Sequence, residues 1–383
     1  MSSFLPRDHR NAILLGRIAT KEGPTPVMLR EGQVFDISRL APTISQLLEN
    51  WSDATDGAPL GSVEQMNFGN GWSGDGNATR LLSPIDLQCI KAAGVTFAVS
   101  AVERVIEERA RGDADKAQGI RDNLHARVGA DITSVRPGSP ESQRLKEALI
   151  ADGLWSQYLE VAIGPDAEVF TKSPTLSSVG WGDWIGVRSD SSWNNPEPEI
   201  VMICDSRGRA LGAALGNDVN LRDIEGRSAL LLGKAKDNNA SCALGPFIRI
   251  FDRNFTLDDV RKSVVRLEVE GEDGYKLAGE SSMSLISRDP VELIGQTIGQ
   301  HHQYPDGFAL FLGTMFAPVE DRGTPGRGFT HKSGDIVRVS SEKLGVLENK
   351  VTSCQAAPPW TFGVGALMQN LAARGLLSPG NKA

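Results

Sequence analysis

Residues 196–218, PEPEIVMICDSRGRALGAALGND, constrain the chain more than any other stretch. Glu197 and Glu199 lie two apart at the head of the apolar run IVMIC, so on a strand they share one face. Asp205-Ser206-Arg207-Gly208 has the composition of a type I turn, and the returning run is built from residues too small to crowd a facing carboxylate. With Ser206 and Arg207 as the central turn residues, Glu197 faces Gly216, Glu199 faces Ala214, and Asp218 lies diagonal to Glu197 on the same face. A one-residue change in the turn would reverse that face. The stretch therefore predicts a hairpin that gathers three carboxylates, and the fold has to make that gathering tolerable.

Three adjacent carboxylates raise one another's pKa unless a cation joins them. A divalent metal is the simplest resolution, and an all-oxygen donor set favours Mg²⁺, Mn²⁺ or Ca²⁺ over zinc. A bare Glu-x-Glu is ordinarily a solvated strand end; Asp218 on the same face is what separates this one. Lys236, in GKAKDNNASCALGP, follows a short segment later and is the candidate for proton transfer, with Lys234 as its competitor. A lysine partly desolvated beside a metal is expected to lose basicity.

The rest of the composition bounds the setting. The chain has 383 residues, 40% hydrophobic and 23% charged, as in ordinary globular proteins. Its 41 glycines point to many turns and hence many strands. The net charge of −8 and the lack of a long basic run argue against a nucleic-acid or membrane partner. No apolar run is long enough to span a bilayer. Cys89, Cys204, Cys242 and Cys354 form no C-x-x-C pair, so reduced thiols and a cytoplasmic location are expected.

Along the chain, residues 12–38 read as three short strands, the second and third joined at Glu31-Gly32, and Thr43 caps a helix. The Gly- and Asn-rich stretch 66–79 reads as a linker. A small N-terminal α/β domain over 1–80 and a second domain over 81–383 are expected. Residues 100–129 read as a long amphipathic helix or helix pair, and 139–164 as one further helix capped by Ser139. From about residue 165 short apolar runs alternate with turn residues, a β-rich body. The fold class is α+β.

An ordered set of motifs carries a resemblance. It comprises Glu197-Pro198-Glu199, Gly212 to Asp223, Lys236 with Ser241 to Pro246, Leu312-Gly313-Thr314, Gly334-Asp335 and Leu344 to Val351. Together they resemble the catalytic domain of the fumarylacetoacetate hydrolase superfamily, over roughly residues 85–375. The resemblance implies a mixed β-roll and a Mg²⁺ site, Mn²⁺ being possible, at Glu197, Glu199 and Asp218. Hydrolases of this family carry G-x-N-Y-x-x-H-x-x-E, whose His and Glu activate a water. The matching stretch here is Gly94 to Glu103, with Glu103 kept and Ser100 in the histidine position. Serine is no general base near neutral pH, which puts water attack in doubt.

The branch without that histidine is similar to the sugar-acid dehydratases. It implies a small-molecule 2-keto-3-deoxypentonate, of arabinonate or xylonate origin, converted to 2-oxoglutarate semialdehyde and water. A 2-keto acid chelates Mg²⁺ through keto and carboxylate oxygens, and the metal acts as Lewis acid. Lys236 is then assigned proton transfer at C3, and Glu168 the acid for the departing C4 hydroxyl. Thr314, Ser100 and Glu103 are assigned to substrate binding, with Glu103 and Arg104 on a helical lid. A homodimer or homotetramer is implied by the resemblance alone. A hydrolase or decarboxylase of a related diketo acid, and a non-catalytic sugar-acid-binding protein, remain the alternatives.

Overall fold

The computed structural model describes residues 4–52, 57–125, 135–315, 318–323 and 327–377. Strands Pro198–Cys204 and Ala210–Asp218 form the antiparallel hairpin at the centre of an 11-stranded sheet. Its register differs from the expected one by two residues: Glu199 opposes Gly216, and the Asp218 N–H donates to the Glu197 carbonyl at 3.0 Å. Two slips produce the difference. Gly208, at φ 75°, adds one residue to the turn, so that the Asp205 N–H reaches Arg209 O at 3.2 Å. A bulge beside Ile203/Cys204 adds the second. Each slip alone would turn the carboxylates to the other face, and together they restore it.

The strand order runs Ala58–Ser62, Gln33–Asp36, Gly23–Arg30, Ile13–Thr20, Cys242–Ile250, the hairpin, Phe308–Phe311, Cys89–Gly94 and Glu168–Ser173. Phe308–Phe311 pairs with Cys89–Gly94 in parallel, and the other neighbours in this order are antiparallel. Three strands separate Glu168–Ser173 from Ala210–Asp218. In a flat sheet that would place them about 19 Å apart. Lys172 nevertheless sits 2.7 Å from Asp218. The sheet is therefore curled, and the concave side is where the carboxylates meet the strand that comes round to them.

Both faces of the hairpin are covered. Ile200, Met202, Ala213 and Leu215 pack against Leu267, Val269, Val337, Val339 and Leu347 of a second sheet of five strands. Strand Val264–Glu270 of that sheet alternates exposed and buried positions without a break, as a sheet with one wet face requires. On the other face Val201, Ile203 and Ala214 join Ile13, Leu15, Met28, Ile248 and Phe311, and the helix Ile44–Glu49 contributes Ile44, Leu47 and Leu48. Each such buried side chain contributes about 1.5–3 kcal/mol relative to exposure.

Segment 1–80 lies within this scheme. The hairpin of Gly23–Arg30 and Gln33–Asp36 turns at Glu31 and Gly32, at φ 53° and 78°, a pair of positive angles that a two-residue hairpin turn needs. Thr43 caps its helix through the Gln46 N–H. Leu14 and Leu15 pair with Arg249 and Ile248, so the N-terminal strands extend the large sheet.

A helical layer covers the far end. Helices Ala98–Ala110 and Ala114–His125 divide the expected long helix, whose residues 126–129 lie outside the described ones. The helix expected over 139–164 divides at Gly153, φ 66°, into Pro140–Ala151 and Gln157–Ile163, each capped by a serine hydroxyl, Ser139 and Ser156. Val102, Val105, Ile106, Leu149, Leu159 and Ile163 form their shared core. Among the described residues the four cysteines are free, and no helix is long and apolar enough to cross a membrane.

Deleting residues 1–80 uncovers an edge of Cys242–Ile250 and strips one side of a shared core. The fragment 81–383 is expected to lose a cooperative thermal transition, which differential scanning calorimetry of the fragment beside the full chain would measure.

Candidate metal centre

Six elements converge on the concave side of the curled sheet. Glu197 and Glu199 come from the head of the central strand and Asp218 from the end of its partner. Because Phe311 pairs with Val201, the two residues beyond Leu312 run beside Glu199, and the Gly313 N–H donates to its Oε2 at 2.7 Å. Gly313 adopts φ +102°, and a Cβ there would lie 2.0 Å from Thr96 Oγ1. Lys236 ends the short helix Leu232–Lys236. Glu168, Phe170 and Lys172 alternate along the strand that has curled round. Ser100, Arg104 and Glu107 come from helix Ala98–Ala110, and Glu225 from the turn of helix Arg222–Glu225.

One ligand oxygen from each of Glu197, Glu199 and Asp218 lies within 4.8 Å of the other two, and all three residues are buried. Their partners differ. Glu197 takes Arg104 Nη2 on Oε1 and Lys236 Nζ on Oε2. Asp218 takes Lys172 Nζ on Oδ1 at 2.7 Å and Lys236 Nζ on Oδ2 at 3.1 Å. Glu199 receives the Gly313 N–H and a long contact, 3.5 Å, from Thr314 Oγ1, and no cation.

The ionisation follows. Burial alone would raise Glu197, but Lys236 and Arg104 outweigh it and hold its carboxyl at about 2. Glu199 is pushed well above the usual carboxylate range by burial and by the charges of Asp218 and Glu197. Burial pulls Lys236 down, yet Asp218, Glu197 and Glu225 carry it above its ordinary value. Among the protein's own groups the surrounding anions outweigh desolvation at Lys236; the expected loss of basicity is the effect of a cation added beside it. Burial, then repulsion from Glu225, raises Glu168 to about 7.

The linked buried groups do not balance. Glu107, Glu197, Glu199, Asp218 and Glu225 face Arg104, Lys172, Arg222 and Lys236, five anions against four cations, with Glu168 lining the same cavity as a sixth carboxyl. With all of these carboxyls ionised the excess would be one negative charge, or two with Glu168 also ionised, and burial together with this crowding of anions is what raises Glu199. A divalent cation fits this deficit, and the oxygen-only donors fit a hard one. Lys236 Nζ, bridging one oxygen of Glu197 and one of Asp218, already marks a position where positive charge is stable.

The cavity is lined by the triad with Gly94, Ser100, Arg104, Glu168, Phe170, Glu225, Lys236 and Thr314. The fold thus brings together seven of the eight residues singled out from the sequence. Glu103 is buried but does not line the cavity. The Ser100 hydroxyl donates to Phe97 O at 2.8 Å within its own helix. A Cβ on Gly94 would lie 2.0 Å from Glu168 Oε2, so the carboxyl leans directly over that glycine. Among the described residues no histidine lines the site; His331 is buried elsewhere, 3.4 Å from Asp335. Sequence reasoning overlooked Lys172, Glu107, Arg222 and Glu225. Lys172 shares the alternation of Glu168 and Phe170, a signal that was there to be read.

These features have relatives. The family model for the C-terminal domain of fumarylacetoacetate hydrolase matches residues 164–352. A Haloferax volcanii protein named "Probable 2-keto-3-deoxyxylonate dehydratase" is 30% identical over 268 residues, 67% of this chain and 85% of that protein. The 2-dehydro-3-deoxy-D-arabinonate dehydratase of Saccharolobus solfataricus is 32% identical over 183 residues, 47% of this chain and 57% of its own length. Among solved structures, a 2-keto-3-deoxy-D-arabinonate dehydratase complexed with magnesium and 2,5-dioxopentanoate superposes with a TM-score of 0.62 at 21% identity, covering 89% of this chain and 99% of that one. The chain belongs to the fumarylacetoacetate hydrolase superfamily and has its fold.

Glu199, the carboxylate without a cation, supplies a test that separates metal binding from structure. In EDTA, Glu199→Gln is expected to melt above the wild type at pH 8, because a carboxyl raised by burial and by its anionic neighbours costs stability above its unfolded pKa and the amide does not. Saturating Mg²⁺, about 100 times its dissociation constant, is expected to stabilise the wild type by about 2.7 kcal/mol and the variant hardly at all. Thermal melts under the two conditions measure both effects.

Proposed function

We propose that the chain is a metal-dependent dehydratase that converts a 2-keto-3-deoxypentonate, of arabinonate or xylonate origin, to 2,5-dioxopentanoate and water. The observation that carries the reading is the buried triad with Lys236 lodged against it and Glu168 on the same wall. The names of the Haloferax and Saccharolobus relatives, and the magnesium and product in the similar structure, support the substrate class. A serine at position 100 and a cavity without histidine favour elimination over hydrolysis, since no neutral imidazole is at hand to activate water.

Glu197, Glu199 and Asp218 would hold Mg²⁺ or Mn²⁺. Bound there, the cation would polarise the keto and carboxylate oxygens of the substrate and offset the anionic field that keeps Lys236 protonated. Lys236 then takes the C3 proton. Glu168, neutral up to about pH 7, gives its proton to the C4 hydroxyl, which departs as water. A C5 proton is then removed and C3 is reprotonated, giving the C4–C5 enol; protonation at C4 with loss of the enol hydroxyl proton completes the aldehyde. Thr314 and Ser100 line the place where the substrate carboxylate and hydroxyls would lie, and Glu103 is buried on the same helix as Ser100, off the cavity wall.

The cavity as it stands is about 10 Å³, too small for a five-carbon acid. Of its walls, helix Ala98–Ala110 is the longest that no sheet ladder fixes, and it is entered through Val95 at φ 57°, a costly angle for a β-branched residue. Movement of this helix would admit substrate, and Arg104 would reconnect it to Glu197 on closing. A homodimer or homotetramer belongs to the same proposal, and sedimentation velocity measures it.

Turnover of 2-keto-3-deoxypentonates of both C4 configurations, with product identified by mass and by aldehyde trapping, tests the reading. Pyruvate released in stoichiometric yield would defeat it, as would a ligand recovered unchanged. Glu168 must be protonated to act, so kcat is expected to fall as pH rises through about 7. Glu168→Gln is expected to lower kcat by roughly 10²–10⁴-fold, with Mg²⁺ binding retained.

A further inference from the structure

We propose that Arg104 and Lys172 are positioning residues that set the size of the cation the triad accepts, by holding each of two carboxylates to a single ligand oxygen. The inference rests on the metal reading above and concerns groups that are not themselves ligands. Every carboxylate of the triad has one oxygen bound to a group that touches neither of the other two. Arg104 Nη2 holds Oε1 of Glu197, Lys172 Nζ holds Oδ1 of Asp218 at 2.7 Å, and the Gly313 N–H holds Oε2 of Glu199 at 2.7 Å. The opposite oxygens are the ones these three groups leave for other partners. Glu197 Oε2 and Asp218 Oδ2 meet on Lys236 Nζ, and Glu199 Oε1 has only the 3.5 Å contact from Thr314.

With the helix closed on the site, the ties are themselves fixed. Arg104 is 8% exposed and is held by Glu107 Oε2 at 2.6 Å and Glu225 Oε2 at 3.3 Å, and Glu107 in turn meets Arg222 Nε at 3.2 Å. Lys172 is fully buried and donates to the Lys236 carbonyl, so its ammonium has a second anchor. A carboxylate clamped on one oxygen by a fixed guanidinium or ammonium cannot turn to offer both oxygens to an ion. Three carboxylates then give three ligand atoms, which leaves three positions of an octahedron for water or substrate. That suits Mg²⁺ or Mn²⁺. Ca²⁺ takes six to eight oxygens and commonly uses bidentate carboxylates, which the clamps deny it.

The test uses the full chain stripped of metal, with Arg104→Gln, Lys172→Met and the conservative Arg104→Lys. MgCl₂, MnCl₂ and CaCl₂ are the probes; Mn²⁺ binding is read by electron paramagnetic resonance and the others by displacement of Mn²⁺. The expected result is a wild type that prefers Mg²⁺ to Ca²⁺, and a preference narrowed by roughly tenfold in Arg104→Gln and in Lys172→Met, the scale on which outer contacts tune metal affinity. Arg104→Lys, which keeps a cation at the site, is expected to recover most of the preference. If all three ions weaken in parallel with the ratio unchanged, the residues are merely structural and the proposal is overturned. Should Lys172→Met fail to fold, the Arg104 pair gives the ratio by itself. A wild type that binds none of the three ions overturns the metal reading itself, and this inference with it.

Discussion

Three carboxylates buried within 4.8 Å of one another are the constraint on which the rest of the molecule depends. Their repulsion in a low-dielectric interior would oppose folding unless positive charge were brought to them. The chain brings it from three directions: Arg104 from a helix, Lys236 from a short helical turn and Lys172 from a strand that three others separate from Asp218 in the sheet. The curl of the large sheet delivers the last of these. A flat sheet with the same order would leave Asp218 without that partner. The architecture and the charge pattern are therefore one arrangement seen at two scales.

Much of this was legible in the chain. The alternation of Glu197 and Glu199, the small residues opposite and the position of Asp218 predicted a convergent face, and the face is there. The reasoning nevertheless reached it through the wrong pairing. A turn glycine at φ 75° and a bulge beside Ile203 each moved the register by one, and parity survived only because there were two of them. Bulges are set by the bending of the sheet as a whole, which no local window of residues contains. The motifs shared with fumarylacetoacetate hydrolases carried the assignment across that gap.

What was not legible depends on long-range closure. Lys172 looks like any strand lysine until the sheet curls and buries it completely. Glu107 and Arg222 look like solvated helix charges until Glu107 meets both Arg222 and Arg104. The N-terminal segment looks separable because a glycine-rich stretch follows it, while its strands add to the edge of Cys242–Ile250. In each case the missing information is which distant surface covers a residue, and sequence spacing is silent on that.

The contact between Gly94 and Glu168 has a further consequence. The carboxyl occupies the volume that the first side-chain carbon of any other residue would need. Its neutral state near pH 7 is thus stored in an absence, the lack of a single methyl on the neighbouring strand. Alanine there would force the carboxyl from its place, and any burial lost in the move would bring its pKa down. One added carbon directly beneath the carboxyl would thus act on its protonation through packing alone.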